Sequence, residues 1–209
     1  LFISILFCQY GYGQVTKVKY QMRYNTTSCR FDCYLIIAQG SGTTPQQRAQ
    51  FGSQFSVVVP TGSSVSIAQN FMPLVGNQSY NGTIPLTWTL SSLIQAPAVT
   101  PQFDYHGITP LTSPAAFYNN LNTGDTIRIF SLNISPITTC ASSIHVFENN
   151  VDPPSDAPGM GGGDFSNGFA LGGTAQLYDS NAPMVFPPKP NLSVTTACSR
   201  GVEIDLTAT

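Results

Sequence analysis

The chain has 209 residues, of which only 9% are charged, while 42% are apolar and 11% are aromatic. This apolar content excludes a disordered chain, and the length suffices for one sizeable β-domain with a short extra segment or for two small domains. A net charge of −2 with eight basic residues scattered along the chain predicts no nucleic-acid partner, because the sequence forms no basic stripe that neutralises phosphates.

The first fourteen residues begin with LFISILFC, an uncharged apolar run that is too short to span a bilayer. Two interpretations are open. The run is either the tail of a signal peptide, with cleavage before Val15, or a retained strand that docks into a sheet of this molecule or of a neighbouring copy. In the second interpretation the docking side chains are Leu1, Phe2, Ile3, Ile5, Leu6 and Phe7.

Residues 15–184 are predicted to form one β-sandwich domain. Apolar and polar residues alternate in 15–24, which is typical of a half-buried strand, and 29–38 then complete a hairpin after the turn NTTS. Single helical turns are expected at 46–51 and 114–122. Further short strands, rich in β-branched and aromatic residues, are predicted at 55–59, 63–67, 83–90, 126–134 and 143–148. This pattern predicts an all-β fold, an Ig-like or jelly-roll-type sandwich with an extended N-terminal strand and a C-terminal hairpin.

Residues 149–173 are a long Pro- and Gly-rich segment, and structureless loops of this length are uncommon in compact domains. The favoured interpretation is an Ω-loop packed by Phe165 and Phe169. The alternative is a calcium site, since carboxylate and amide oxygens are ligands that Ca²⁺ prefers. Its candidate ligands are Asp152, Asp156 and Asp164, with Asn150 and Asn167. No other cofactor is expected.

A stiff proline-rich linker is predicted at 185–191, followed by a hairpin at 192–209. In that hairpin Val202, Ile204 and Leu206 share one face, and a lone hairpin cannot bury such a face by itself. The segment is therefore either the beginning of a following Ig-like module or a terminal hairpin that completes another sheet.

The five cysteines are Cys8, Cys29, Cys33, Cys140 and Cys198, and none is spaced with the two histidines as a zinc site requires. Disulfides in an oxidising compartment are the better interpretation. Cys29 and Cys33 would lie about 13 Å apart in an extended strand, too far to bond to each other. One of them is expected to pair with Cys140, and a bond between Cys8 and Cys198 of different subunits would link copies.

Glycosylation is suggested by five N-x-S/T sequons and by one Asp-Thr-Ile triplet that resembles a bacterial O-glycosylation motif. The acceptors are Asn25, Asn77, Asn81, Asn133, Asn191 and Thr126, of which Asn133 is the weakest because it lies within a strand pattern.

Catalytic signals are few. Asp104 beside His106 is the only acid–base neighbourhood in the sequence, and strand-plus-turn geometry explains it equally well. His145 lies in a strand pattern, and the chain contains no GxSxG, HExxH or phosphate-loop motif. The sequence therefore predicts that the protein is not an enzyme, and a hydrolase using Asp104 or His106 is the minor alternative.

Four segments carry a family resemblance: the lead ending in GYGQ, the hairpin YQMRYNTTSCRFDCYL, the loop DPPSDAPGMGGGDFSNGF and the opening LSVTTACSRGVEIDLTAT. Together they resemble large secreted surface adhesins of filamentous and gliding bacteria, in which a leading β-domain precedes Ig-like repeats. The architecture is also similar to donor-strand pilins and helical surface-filament subunits. The resemblance implies that Leu1–Cys8, and also Val202–Leu206, fill a groove in a neighbouring subunit, although LFISILF is apolar on both faces whereas donor strands usually alternate.

The resulting expectation is a glycosylated structural subunit of an extracellular bacterial surface filament, assembled head-to-tail by strand addition. Its partners are copies of itself, with glycans attached or bound, and it has no transmembrane span. The alternative is a carbohydrate-binding adhesin module with a stacking platform of Trp88 and Tyr80, Tyr105 or Tyr118, although Trp88 between Leu86 and Leu90 is better interpreted as a core residue.

Overall fold

The computed structural model describes residues 14–71, 87–111, 118–136, 143–172 and 176–186. The predicted docking strand and most of the C-terminal linker and hairpin lie outside these residues. The strands that the described residues form are β1 (Lys17–Asn25), β2 (Arg30–Gln39), β3 (Ser41–Gly42), β4 (Gln50–Pro60), β5 (Ser64–Asn70), β6 (Trp88–Gln95), β7 (Phe103–Pro110), β8 (Leu121–Asn122), β9 (Thr126–Ser135), β10 (His145–Val146), β11 (Gly168–Leu171) and β12 (Tyr178–Asn181).

Two sheets make up the fold, and the predicted all-β sandwich is confirmed. The first sheet, called sheet 1, has the order β12-β1-β2-β9-β5. The second, called sheet 2, has the order β10-β4-β7-β6, with β11 also paired to β4, and β3 pairs with β8 in a small separate ribbon. All of these pairs are antiparallel except β1 with β12, which is parallel.

The main core lies between the sheets and follows from the period-two pattern of the strands. In β2 the residues Phe31, Cys33, Leu35 and Ile37 are all buried, so this strand points every second side chain inward. Facing side chains from sheet 2 include Phe55, Val57 and Val59 of β4 and Trp88 of β6. The predicted hairpin of 15–24 with 29–38 is thus present as β1 and β2, with β1 starting two residues later and the other three boundaries one residue later.

The described residues include one helical turn, α1 (Pro45–Arg48), close to the predicted turn at 46–51. Thr44 caps it, since its hydroxyl accepts the Gln47 N–H and the Gln47 side chain accepts the Thr44 N–H. Among the described residues no helix is long and apolar enough to cross a membrane.

Four of the longer strands depart from the sequence expectation. β7 was not predicted because it is a central strand that carries Asp104, His106 and a proline in place of an alternating pattern. β11 and β12 are four residues each, too short to show an alternating pattern, so only their long-range pairing makes them strands. β6 runs to Gln95 instead of ending at 90.

The chain passes along the sandwich from one end to the other. Val15 and the start of β1 lie beside Gln39, where the Thr16 N–H donates to the Gln39 carbonyl at 3.0 Å. Residues 177–185 run parallel to β1, so that Val185 reaches the far end of β1 and accepts the Tyr24 N–H at 2.7 Å. Residues 14 and 186 therefore leave the domain at opposite ends of the same strand.

Candidate functional site

Residues 148–167, called the acidic loop, cover the outer face of sheet 2. Met160 and Phe165 of this loop pack on Val58 and Tyr105, which point away from the main core, and Phe147 completes this second apolar cluster. Phe165 thus packs the loop as predicted. Phe169 instead belongs to β11 and to the main core.

Gly159 sets how closely the acidic loop approaches sheet 2. Its φ is +89°, and a Cβ at this position would lie 2.2 Å from the backbone nitrogen of Ala98. Beside it the Val99 N–H donates to the Pro158 carbonyl at 2.9 Å. A side chain at position 159 would therefore push the loop off the β6–β7 turn.

The calcium site proposed from the sequence is not assembled. Asp152 accepts the Glu148 N–H at 2.7 Å and lies 3.2 Å from His145 Nε2, whereas Asp164 accepts the Ser166 N–H at 2.8 Å. Each carboxylate thus braces its own turn. Within the described part of the chain, no three His, Cys, Asp or Glu side chains are grouped closely enough to hold a metal ion.

Asn167, also considered as a calcium ligand, instead ties the acidic loop to sheet 2. Its buried amide oxygen accepts the Ser56 N–H at 2.8 Å, and its amide nitrogen donates to the Phe147 carbonyl. Its backbone N–H donates to the Asn149 side chain at 2.8 Å. The sequence contains no signal for this role beyond the polar residue itself, because its partners are up to 111 residues away.

Asp104 and His106 lie two residues apart on β7, and both side chains are on the inner face of sheet 2. Both carboxylate oxygens of Asp104 accept backbone N–H groups at 2.9 Å, from Gly62 and Ala96, so this side chain joins two turns. His106 is 6% exposed, and its Nε2 has no hydrogen-bond partner. Burial lowers the pKa of His106, and the charge of Asp104 partly offsets this effect.

The stacking platform proposed for sugars is buried. Trp88 and Tyr105 are each 1% exposed and Tyr118 is fully buried. Trp88 packs on Phe130 in the main core, and the Tyr105 hydroxyl hydrogen-bonds to Thr100 at 2.8 Å. These three rings therefore have no free face for a sugar, and Tyr80 lies outside the described residues.

Cys29 and Cys33 are both free thiols, and Cys140, with which one of them was expected to pair, lies outside the described residues. Cys29 lies in the turn with φ +52° and is exposed, so it does not share the strand face of Cys33. Cys33 points into the core between Met22 and Phe130, where burial raises the pKa of its thiol. Cys8, Cys140 and Cys198 lie outside the described residues.

Three of the predicted glycan acceptors lie in the described residues. Asn25 closes the hairpin turn: its amide oxygen accepts the Thr27 N–H and its amide nitrogen donates to Asp32, each at 3.0 Å. Thr126 and Asn133 are exposed on β9. Asn77, Asn81 and Asn191 lie outside the described residues.

One edge of sheet 2, called the β6 edge, exposes apolar side chains. In the part of the chain that the structure describes, β6 pairs only with β7. At its first residue the Asn70 side chain imitates a strand, since its oxygen accepts the Trp88 N–H at 2.8 Å and its nitrogen donates to the Trp88 carbonyl. Beyond this cap, Leu90 is 40% exposed and Leu93 is 50% exposed.

The two exposed leucines of the β6 edge continue the inner surface of the sandwich. Leu90 pairs with Ile108 and Leu93 pairs with His106, and paired residues of an antiparallel ladder share a face. Ile108 belongs to the main core. An irregularity of the ladder between Leu90 and Ser92 places both leucines on this face. The apolar interior therefore opens to solvent beside the buried His106.

The outer face of sheet 1 collects positive charge that is scattered in the sequence, and we call it the basic face. It carries five of the eight Lys and Arg residues: Lys17, Lys19, Arg23, Arg30 and Arg128. The premise that the fold lacks a basic surface was therefore wrong. The alternation of side chains in β1 places three of these cations on one face. Arg128 lies on the same face only because β2 pairs with β9.

Comparison of the whole chain with protein-family models, with curated proteins and with solved structures finds no match.

Proposed function

We propose that this chain is a structural, non-enzymatic subunit of an extracellular surface filament that copies of itself build by strand addition. The observation that supports the proposal is the β6 edge, where Leu90 and Leu93 stand exposed on a strand with one described partner. Native sheets usually protect such an edge with charge, proline or a covering segment. An apolar edge is suited to receive another strand.

The strand that we assign to this edge is Leu1–Phe7 of a neighbouring copy. When this segment is extended, Leu1, Ile3, Ile5 and Phe7 share one face, which can cover Leu90 and Leu93. Burying these four large apolar side chains at roughly 1.5–3 kcal/mol each gives on the order of 10 kcal/mol before the entropy cost of association. Backbone hydrogen bonds along β6 supply the register.

The path of the chain favours an open polymer. Residue 14 lies beside β1. The β6 edge lies on the opposite side of the sandwich, next to β5, where Asn70 bonds to Trp88. A contact that joins two different surfaces of identical subunits is heterologous, and such contacts continue indefinitely unless the rotation closes a ring.

A non-enzymatic role agrees with the one acid–base pair of the sequence analysis. Both oxygens of Asp104 are used by backbone N–H groups, and His106 is buried with an unpartnered nitrogen. The carbohydrate-binding alternative is less well supported, because Trp88, Tyr105 and Tyr118 are buried in the two apolar clusters.

Electron microscopy of negatively stained protein, with sedimentation velocity, tests the proposal on four samples: the full chain, a variant lacking residues 1–8, Leu93→Lys and Leu111→Lys. Leu111 is 64% exposed but follows β7, so it is a matched control for an added charge. We expect filaments from the full chain and from Leu111→Lys, and folded monomers from the other two. Filaments of normal length from either of those two, or a full chain that stays monomeric, would refute strand addition.

A further inference from the structure

The two outer faces of the sandwich carry opposite charge. The basic face of sheet 1 lies on one side, and the acidic loop covers sheet 2 on the other. The loop contains Glu148, Asp152, Asp156 and Asp164, and the sequence has no Lys or Arg from residue 129 to residue 188. The net charge is only −2, but the positive and negative charges lie on opposite faces of the sandwich.

Most of the positive charge on the basic face is not neutralised within the subunit. Asp32 is buried there and binds Arg128 at 3.3 Å, and Asp179 on β12 binds Lys17 at 3.0 Å. Lys19, Arg23 and Arg30 remain without an acidic partner among the described ion pairs.

Two of the three guanidinium groups of the basic face, those of Arg23 and Arg128, lie over aromatic rings. Arg23 lies over the Tyr34 ring at 4.5 Å and donates from Nε to Gln21 at 2.6 Å. Arg128 lies over the Phe71 ring at 3.7 Å. Stacked guanidinium groups lose little side-chain entropy when they bind a carboxylate, so the face is organised before any partner arrives.

We propose that the basic face binds the acidic loop of a second copy, so that subunits stack side by side. The occupant is argued from charge: Glu148, Asp156 and Asp164 are exposed on the loop, and each face is complementary to the other. Because the two faces lie on opposite sides of one subunit, the contact is heterologous and continues from copy to copy. This inference deepens the proposed self-assembly and rests on association between copies, but it uses surfaces other than the β6 edge.

The dimensions of the basic face predict a weak contact. Five strands with spacings of about 4.8 Å and a length of about 30 Å give on the order of 600 Å² for each partner, which is at the low end of specific interfaces. Single subunits therefore associate reversibly. Subunits already aligned in a filament make many such contacts at once, so filaments are held together laterally.

A charge-swap experiment on the full chain tests the inference. In one variant Lys19→Glu and Arg23→Glu reverse the basic face. In the other, Glu148→Lys and Asp156→Lys reverse the acidic loop at two exposed positions. The charge-conserving control is Lys19→Arg with Arg23→Lys. Light scattering and sedimentation equilibrium measure association at about 20 mM and about 500 mM salt, since exposed charges are screened within a Debye length.

We expect the full chain and the control to associate at low salt, with an association constant roughly tenfold lower at high salt. Each reversed variant alone should lose the salt-sensitive lateral association while strand addition at the β6 edge continues, whereas an equimolar mixture of the two should regain the lateral association, since each then offers a face of opposite charge to the other. A mixture that associates no better than its components overturns the inference. So does unchanged self-association in the variant that carries Lys19→Glu and Arg23→Glu, even if that variant loses binding to heparin or single-stranded DNA, because the basic face would then serve another polyanion.

The outcome is separable from that of the strand-addition test. If strand addition is right and the lateral contact is wrong, filaments form and their bundling does not respond to salt or to charge reversal. If strand addition is wrong and the lateral contact is right, no filament survives at high salt, but the rescue by mixing remains.

Discussion

At the scale of single residues, some polar side chains of this protein form the hydrogen bonds that a neighbouring strand would otherwise form with the backbone. Asn70 caps the first residue of the β6 edge and Asn167 holds the acidic loop to β4, in each case through an amide that satisfies backbone groups. Such groups are costly when left unpaired in a core. Each amide therefore fills a place that a neighbouring strand would otherwise take.

His106 is a histidine whose titration the fold changes. Burial lowers its pKa below the ordinary value of 6.5, so the unfolded chain binds a proton more readily than the folded one. This group therefore stabilises the fold fully above pH 6.5, and the stabilisation is lost as the pH falls toward the lowered folded pKa.

We expect the urea concentration at the unfolding midpoint to decrease when the pH is lowered from about 7.5 to about 5.5, a range around the ordinary histidine pKa. His106→Gln should reduce this decrease, because glutamine does not titrate. His145→Gln is the control, since His145 is partly exposed at the surface. Equal pH dependence of His106→Gln and the unmodified protein would assign the acid sensitivity to other groups.

At the scale of elements, the acidic loop packs through a small apolar cluster of its own. Its apolar contacts form a small cluster on the outside of sheet 2, apart from the main core between the sheets. Regions with their own limited packing open independently of the rest of a protein. The length of the loop is therefore compatible with order, because the loop has a core of its own.

We expect Phe165→Ala to loosen the acidic loop without unfolding the sandwich. Truncation of a buried phenylalanine costs roughly 3–5 kcal/mol, and here the loss falls on the small cluster. Hydrogen exchange should accelerate in residues 150–165 while β2 and β9 keep their protection. Phe55→Ala, in the main core, is the contrasting variant and should lower protection throughout. Uniform loss of protection in Phe165→Ala would mean that the loop and the core are one unit.

At the scale of the whole molecule, the placement of β12 beside β1 determines how the domain carries tension. The Ala182 N–H donates to the Tyr20 carbonyl and the Val185 N–H donates to the Met22 carbonyl, at 2.7 Å and 3.1 Å. Because residues 14 and 186 leave at opposite ends of β1, a pull between them loads these bonds in shear. The filament role that we propose requires this kind of resistance.

We expect the protein to unfold at a higher force when it is pulled between Gln14 and Phe186 than when it is pulled between Gln14 and Gln39. The second pair of attachment points separates β1 from β2 one hydrogen bond at a time. Ala182→Pro removes one donor and should lower the first force, with a stability loss of about 1–3 kcal/mol. Ala182→Ser keeps the N–H and is the control. Single-molecule force spectroscopy makes the measurement, and equal forces in the two pulling directions would contradict this role of β12.

The sequence alone determined the all-β class, the β1–β2 hairpin and the strands from β4 to β9 that have an alternating pattern, because a period of two is a property of contiguous residues. It did not reveal β7, which is polar in the middle of a sheet, or β12, which is a strand only because β1 lies beside it.

The tertiary structure decided which sheet edges are covered and which charges share a face. Arg128 and Asp32 meet although they are 96 residues apart, and Trp88 is core although aromatic residues also serve as binding platforms. The physical reason is register: one step of slip between two strands moves every side chain to the other face, and distant strands set that register only when the sheets have packed.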